Sequence, residues 1–260
     1  MKRIVYTLFG IILSAVLVVG CSGEELSTYE NIIEKGNMTF AMSAQYPPFN
    51  FIDESGDVVG FDVDIAKALA AELGVEAEPI TTDFDGIIAG LNGKRFDMII
   101  GSMSITEERL KEVNFTDPYY YDGAQFFGRS DLGIGSIEEL EDGAVGVVTG
   151  TTYLTALEEM DNVTEILQFS SDVDNIMAVE QGRADGLVTG KFMGREAPGR
   201  YGVDIVPIGS LLYVEEIAIA IRKEDTKLLE EINKALATIV ENGVYEEISY
   251  NWFGENILEK

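Results

Sequence analysis

Histidine is absent from the 260 residues, and cysteine and tryptophan occur once each. The first absence removes imidazole acid–base chemistry and histidine metal ligands. The second removes any disulfide within one chain, so the fold must rest on its apolar core. Basic side chains are also scarce: 18 Lys and Arg stand against 46 Asp and Glu, a formal charge of −28. Such a chain repels nucleic acid. The acids are spread along the whole length, which fits a solubilising surface better than a patch aimed at cationic partners.

Only one long apolar run exists. It spans Ile4 to Val19 behind Lys2 and Arg3, broken by Tyr6, Thr7, Gly10 and Ser14. The run is short for a membrane span and no second one follows it, so residues 1–20 read as a secretion signal. It ends at Val18-Val19-Gly20-Cys21. A small residue before the sole cysteine at this place resembles a bacterial lipobox, in which Cys21 becomes the acylated first residue of the mature chain. An ordinary signal peptide with an incidental cysteine is the plain alternative. Residues 21–35 then read as a lipid-anchored polar tether, and the remainder is long enough for one large domain or two modest ones.

Strand and helix signals alternate from residue 38 onward. Strands are expected at Met38–Ser43, Val75–Ile80 and Phe96–Ile100, with a hairpin of Phe51-Ile52 and Val58-Val59 around Ser55-Gly56. Helices are expected at Asp62–Leu73, where Ile65, Leu69 and Leu73 recur every fourth residue before Gly74, and at Asp85–Asn92. A second set follows: strands Ala144–Val148, Val163–Phe169, Ala184–Thr189 and Val214–Arg222; helices Thr152–Met160, Asn175–Gln181, Thr226–Val240 and Tyr245–Trp252. Alternation with short links implies α/β architecture with sheets covered by helices. The stretch Gly93–Ile100 is echoed by Gly182–Val188: a helix-ending glycine, a basic residue, an Asp and an apolar strand. Two similar lobes whose strand ends face one cleft account for the echo, and so does the general likeness of β-α-β units.

The richest stretch is Gly101-Ser102-Met103-Ser104-Ile105-Thr106-Glu107-Glu108-Arg109. It joins the end of a strand to the start of a helix and gathers two hydroxyls, helix N-terminal amides and one guanidinium, a set suited to a small carboxylate. With Thr106 as N-cap, Arg109 falls at the third helical position, where the helix dipole favours an acid. A cation there is better explained by an anion facing it than by an ion pair with Glu112.

At this point the chain resembles the family 3 extracellular solute-binding proteins, the polar amino-acid receptors of ABC importers. The resemblance covers roughly residues 36–254. It is carried by Tyr46-Pro47-Pro48-Phe49, Gly60-Phe61-Asp62-Val63-Asp64-Ile65, Phe84-Asp85-Gly86-Ile87-Ile88, Ser102 to Arg109, Phe115-Thr116-Asp117-Pro118-Tyr119-Tyr120, Gly150-Thr151-Thr152 and Trp252-Phe253-Gly254. It implies a two-lobed periplasmic-binding-protein-like fold, each lobe a mixed sheet flanked by helices. Lobe 1 would hold residues 36–120 and 219–260, and the hinge strands and lobe 2 residues 121–218. The crossings would lie near Tyr121-Asp122-Gly123 and Val214-Glu215-Glu216. It further implies a monomer outside the cytoplasm, without cofactor or catalytic residues. Its partners would be a small carboxylate-bearing ligand such as an amino acid, the permease subunits and, through the N-terminal lipid, the membrane.

Residue by residue, the resemblance gives Arg109 the ligand α-carboxylate, with Ser102 and Ser104 beside it. It gives the Gly101 carbonyl a share of the α-amine, Thr152 with Thr151 the lobe 2 side of the carboxylate, and Tyr46 and Phe84 the walls around the side chain. Core packing is the plain alternative for those two aromatics. Two positions depart from the family. Gly190, followed by Lys191, stands five residues after Asp185 where an ammonium-binding Asp is usual. Ser43 stands where cation-specific members carry Asp, which argues against Arg or Lys as ligand. Either Glu215 or Glu216 substitutes for the first acid, or the ligand lacks a primary amine, or binding is weak. A sensor role through a partner and a lyase on the same scaffold, using Glu215, Glu216 or Lys191 as acid, are the competing functions.

Overall fold

The computed structural model describes residues 26–259, and their strands form two large mixed sheets and one small sheet. The first large sheet is ordered Glu76–Thr81, Asn37–Met42, Met98–Ile99, Ala220–Arg222, Val113–Phe115. Its first three strands run parallel, and Ala220–Arg222 is antiparallel to both its neighbours. The second is ordered Val163–Phe169, Gly143–Val148, Gly186–Gly190, Tyr120–Arg129, Ile205–Pro207. There Tyr120–Arg129 runs antiparallel to Gly186–Gly190, to Ile205–Pro207 and to Tyr213–Ile217. The small sheet holds the expected hairpin, with Phe51 opposite Val59, plus Gln45–Tyr46.

Helices cover the sheets where apolar spacing requires it. Phe61–Leu73 buries Phe61, Ile65 and Leu69 and stops at Gly74, whose left-handed conformation closes the last turn. Thr226–Glu241 buries Leu228, Ile232, Leu236 and Ile239 on one stripe. Both helices meet the first sheet in one core with Phe40, Tyr119, Tyr120 and Tyr245.

Two strands carry the chain between the large sheets. Tyr120–Arg129 and Tyr213–Ile217 pair antiparallel from Tyr120 opposite Ile217 to Ala124 opposite Tyr213. The anticipated crossings, Tyr121 to Gly123 and Val214 to Glu216, lie in this ribbon. The single strand expected over Val214–Arg222 is two strands, because the backbone changes partners between them. The Ala218 amide donates to the Met103 carbonyl and the Ile219 amide to the Thr116 hydroxyl. The helix Lys191–Tyr201 was not expected. Gly194, Pro198 and Gly199 argue against it locally, whereas burial of Phe192, Met193 and Ala197 favours it.

One expectation needs correction. Residues 28–35 are not tether but the helix Thr28–Lys35. Ser27 and Glu30 form a reciprocal capping box, and Gly36 ends the helix in the left-handed conformation. The Thr28 hydroxyl donates to Asp225 at 2.7 Å, and Ile32, 1% exposed, enters the first core. The helix is thus part of the lobe. Cys21 and residues 1–20 lie outside the described residues. Ile32→Ala is expected to lower unfolding free energy by about 3 kcal/mol in a denaturant titration, as for a cavity in a packed core; a tether residue would leave it unchanged.

Candidate binding cleft

The first wall of the cleft is organised by a carboxylate that does not face it. Asp62, fully buried in the first turn of its helix, accepts from the Tyr119 hydroxyl at 2.6 Å, Asn50 Nδ2 at 2.7 Å and the Ser102 hydroxyl at 2.9 Å. Burial pushes its carboxyl up to about 6, against the pull of those hydrogen bonds. The network holds the chain as it leaves Met98–Ile99. Ser102 sits at φ 59°, a left-handed conformation that a side chain adopts at a cost, and its amide donates to the Tyr119 hydroxyl. Asn50 in turn accepts from the Ser43 hydroxyl and the Ala44 amide.

Thr106 caps the next helix, Glu107–Glu112, by accepting from the Arg109 amide at 3.1 Å. Arg109 does not pair with Glu112. Its Nη1 donates to the Ser104 carbonyl at 2.8 Å, and Nη2 reaches the Gly150 carbonyl of the other lobe at 3.0 Å. The guanidinium lies 5.6 Å from the centre of the Phe84 ring. Desolvation weakens its hold on the proton, and the negative charge of Glu215 opposes that effect.

The second wall comes from the lobe built on Tyr120–Arg129. Gly150 at φ 78° turns the strand end so that its carbonyl meets Arg109, a conformation glycine takes freely. The Thr151 hydroxyl turns back to the Val148 carbonyl, whereas the Thr152 hydroxyl donates to Glu215 Oε1. The Ser104 hydroxyl donates to the same oxygen at 2.6 Å. Glu215 therefore joins a residue of each wall from the crossing ribbon. Asp172, 7% exposed, opens the helix Asp172–Glu180 on this side and accepts from the Thr189 hydroxyl at 2.7 Å. Burial lifts the carboxyls of Asp172 and Asp122 to about 7.

Ser43, Tyr46, Phe84, Gly101, Ser102, Ser104, Arg109, Thr151 and Thr152 all line this one cleft, which holds about 520 Å³ of unfilled space counting its open mouth. Tyr46 stacks on Phe49 and packs against the cores of both lobes, so its wall and core roles coincide. Gly190 is not on the wall; it lies behind Tyr46 and Asp122. Glu216 is exposed on the ribbon face away from Glu215. Sequence reasoning missed Asp172 and Tyr153, which also line the cleft, and Asp122 beside it. The Ser171-x-x-Asp174 capping pattern marked the start of the Asp172 helix.

Two α/β lobes joined by two strands, with a cleft between them lined by Arg109 and several hydroxyls, are the arrangement of a solute receptor. Residues 38–255 match the bacterial extracellular solute-binding proteins, family 3, and the chain belongs to that family. It is similar to the L-cystine-binding protein TcyJ of Escherichia coli K12, with 28% identity over 95% of each chain. ABC transporter arginine-binding protein 1 of the same organism is 31% identical over 83% of this chain and 90% of its own. A solved structure, a Gly52Ala mutant of arginine-bound ArgBP from T. maritima, has 38% identity and a TM-score of 0.77 over 81% of this chain and 99% of that one. The chain is the solute-binding component of an ABC importer, not an enzyme.

The two raised cleft carboxyls have a consequence for stability. Each has an ordinary value of 3.8 and a folded value of about 7, so the folded protein binds more protons between those values. Stability therefore falls as pH rises through that window. Urea unfolding of the unliganded protein is expected to show Asp122→Asn, Asp172→Asn more stable than the native sequence at pH 8 by on the order of 4 kcal/mol per carboxyl. The difference should vanish near pH 4; a pH-independent difference contradicts the assignment.

Proposed function

We propose that the cleft binds one free amino acid with a neutral or cationic side chain. Its α-carboxylate meets Arg109 and its side chain lies between Tyr46 and Phe84. The observation that carries this reading is the Arg109 guanidinium, donating to one carbonyl of each lobe while its remaining N–H groups stay available to a planar anion. Ser104 and Thr152 stand beside it, their hydroxyls already joined to a carboxylate, that of Glu215. Buried acids outnumber cations around the cleft, with Asp122, Asp172 and Glu215 against Arg109 and the neighbouring Lys191. That balance disfavours Asp or Glu as ligand. Ser43, which donates to Asn50, brings no charge of its own, but Asp172 on the facing wall supplies a carboxylate, so a cationic side chain is admitted. Relatives named for arginine and cystine are consistent with this range.

A thermal-shift screen of the standard amino acids and cystine tests the reading. At saturating ligand, at least one neutral or cationic amino acid is expected to raise the midpoint by about 5 °C or more, with no response to Asp or Glu. Arg109→Ala is expected to abolish that shift; an equal shift in the variant would place the ligand elsewhere.

We further propose that Cys21 is the lipid-bearing first residue of the mature chain, holding the receptor on the outer face of the cell membrane beside its permease. The support is the lipobox-like Val18-Val19-Gly20-Cys21 after the apolar run. With the lobe starting at Ser27, the tether is only a few residues long and keeps the receptor close to the bilayer. In a bacterial host the protein is expected in the membrane fraction, and Cys21→Ser is expected to move it out of that fraction; retention there in the variant contradicts acylation at Cys21.

A further inference from the structure

Two carboxylates face one another on the crossing ribbon. Asp122 and Glu215 are register partners, so their side chains share a face, and like charges so placed repel. Both are buried, at 2% and 4% exposure, and each keeps one oxygen, Asp122 Oδ2 and Glu215 Oε2, without a hydrogen-bond partner. The other Asp122 oxygen accepts from the Gly123 amide at 2.7 Å. Lys191 acts on Asp122 through its backbone amide as well as its charge, and rests its ammonium 4.4 Å from the centre of the Phe192 ring. Unpartnered buried carboxylate oxygens are costly unless a cation meets them.

Gly190 shows where the Asp122 carboxylate lies. It pairs with Ala124 on the same strand as Asp122, which makes Asp122 its diagonal neighbour on one face of the sheet. A Cβ on Gly190 would stand 2.4 Å from Asp122 Oδ2 and 2.2 Å from the Tyr46 hydroxyl, so neither position 122 nor Tyr46 could stay where it is. Tyr46 is a wall of the cleft. The space beside it, left by a residue without a side chain, is thus filled by a carboxylate from the adjacent strand.

We propose that Asp122, backed by Glu215, receives the ligand's α-ammonium group beside Tyr46, and that the missing side chain at Gly190 leaves Asp122 and Tyr46 the room to stand there. The inference rests on the reading of the cleft as an amino-acid site with the α-carboxylate on Arg109. It replaces the earlier choice between Glu215 and Glu216, because Glu216 faces away and Glu215 Oε1 is engaged by Ser104 and Thr152. The acid that the family resemblance places at position 190 is supplied from position 122, one strand over.

Calorimetric titration with L-arginine, L-histidine and L-glutamine, each beside its des-amino counterpart (5-guanidinopentanoate, imidazolepropionate, 4-carbamoylbutanoate), separates the two claims. The native sequence is expected to prefer an amino acid over its des-amino form by about tenfold or more. Asp122→Asn, which keeps the shape of the side chain, should lose that preference while its affinity for the des-amino form changes little. Gly190→Asp alone should bind poorly, since it crowds Asp122 and Tyr46, and Asp122→Gly, Gly190→Asp together should restore the preference. Undiminished preference in Asp122→Asn overturns the inference, as does its loss in Asp172→Asn but not in Asp122→Asn. Amino acids that fail to bind the native sequence would instead overturn the amino-acid reading itself.

Discussion

Arg109 carries a permanent charge into an interface where its donors meet the Ser104 carbonyl from one lobe and the Gly150 carbonyl from the other. A guanidinium in that position is useful only if both strand ends are held to it. The positions of Ser102, Thr106, Gly150 and Glu215 can all be understood as consequences. Asp62 fixes the first strand end through Tyr119, Asn50 and Ser102. The left-handed turn at Gly150 aims the second. Neutral carbonyls satisfy the geometry of the guanidinium but not its charge, and the charge is answered by Glu215 from the ribbon that joins the lobes.

Because that ribbon belongs to the second sheet and carries the chain to the first, the chemistry of the cleft and the relative placement of the lobes are one problem. Glu215 accepts hydroxyls from Ser104 and Thr152, one on each wall. In the proposed binding mode a ligand carboxylate on Arg109 would lie beside the same hydroxyls, and an ammonium group would meet acids that otherwise face each other across the ribbon. Binding energy in a site built from both walls would be realised only when both are in place, and occupancy would then be coupled to closure.

The sequence was most informative where local pattern and local chemistry agree. Ile65 and Leu69 before Gly74, the strand Val163–Phe169 and the Thr106 cap before Arg109 each declare themselves within a few residues. The helix Thr28–Lys35 was legible in its Ser27-x-x-Glu30 box but was hidden by the polar composition around it. The helix Lys191–Tyr201 ran against its own glycines and proline, and was decided by burial of one face. Asp122 was read only as part of a crossing strand; the role proposed for it depends on Gly190 and Glu215, residues far away in sequence that only the strand register brings together. The absence of an acid at position 190 was visible; the replacement proposed for it is a matter of pairing.

The most direct test of the whole account is a crystal structure of the chain grown with the amino acid that stabilises it most. The account predicts the α-carboxylate within hydrogen-bond distance of the Arg109 guanidinium and the α-ammonium within hydrogen-bond distance of Asp122, with the side chain running between Tyr46 and Phe84. A ligand whose carboxylate lies away from Arg109 would contradict it.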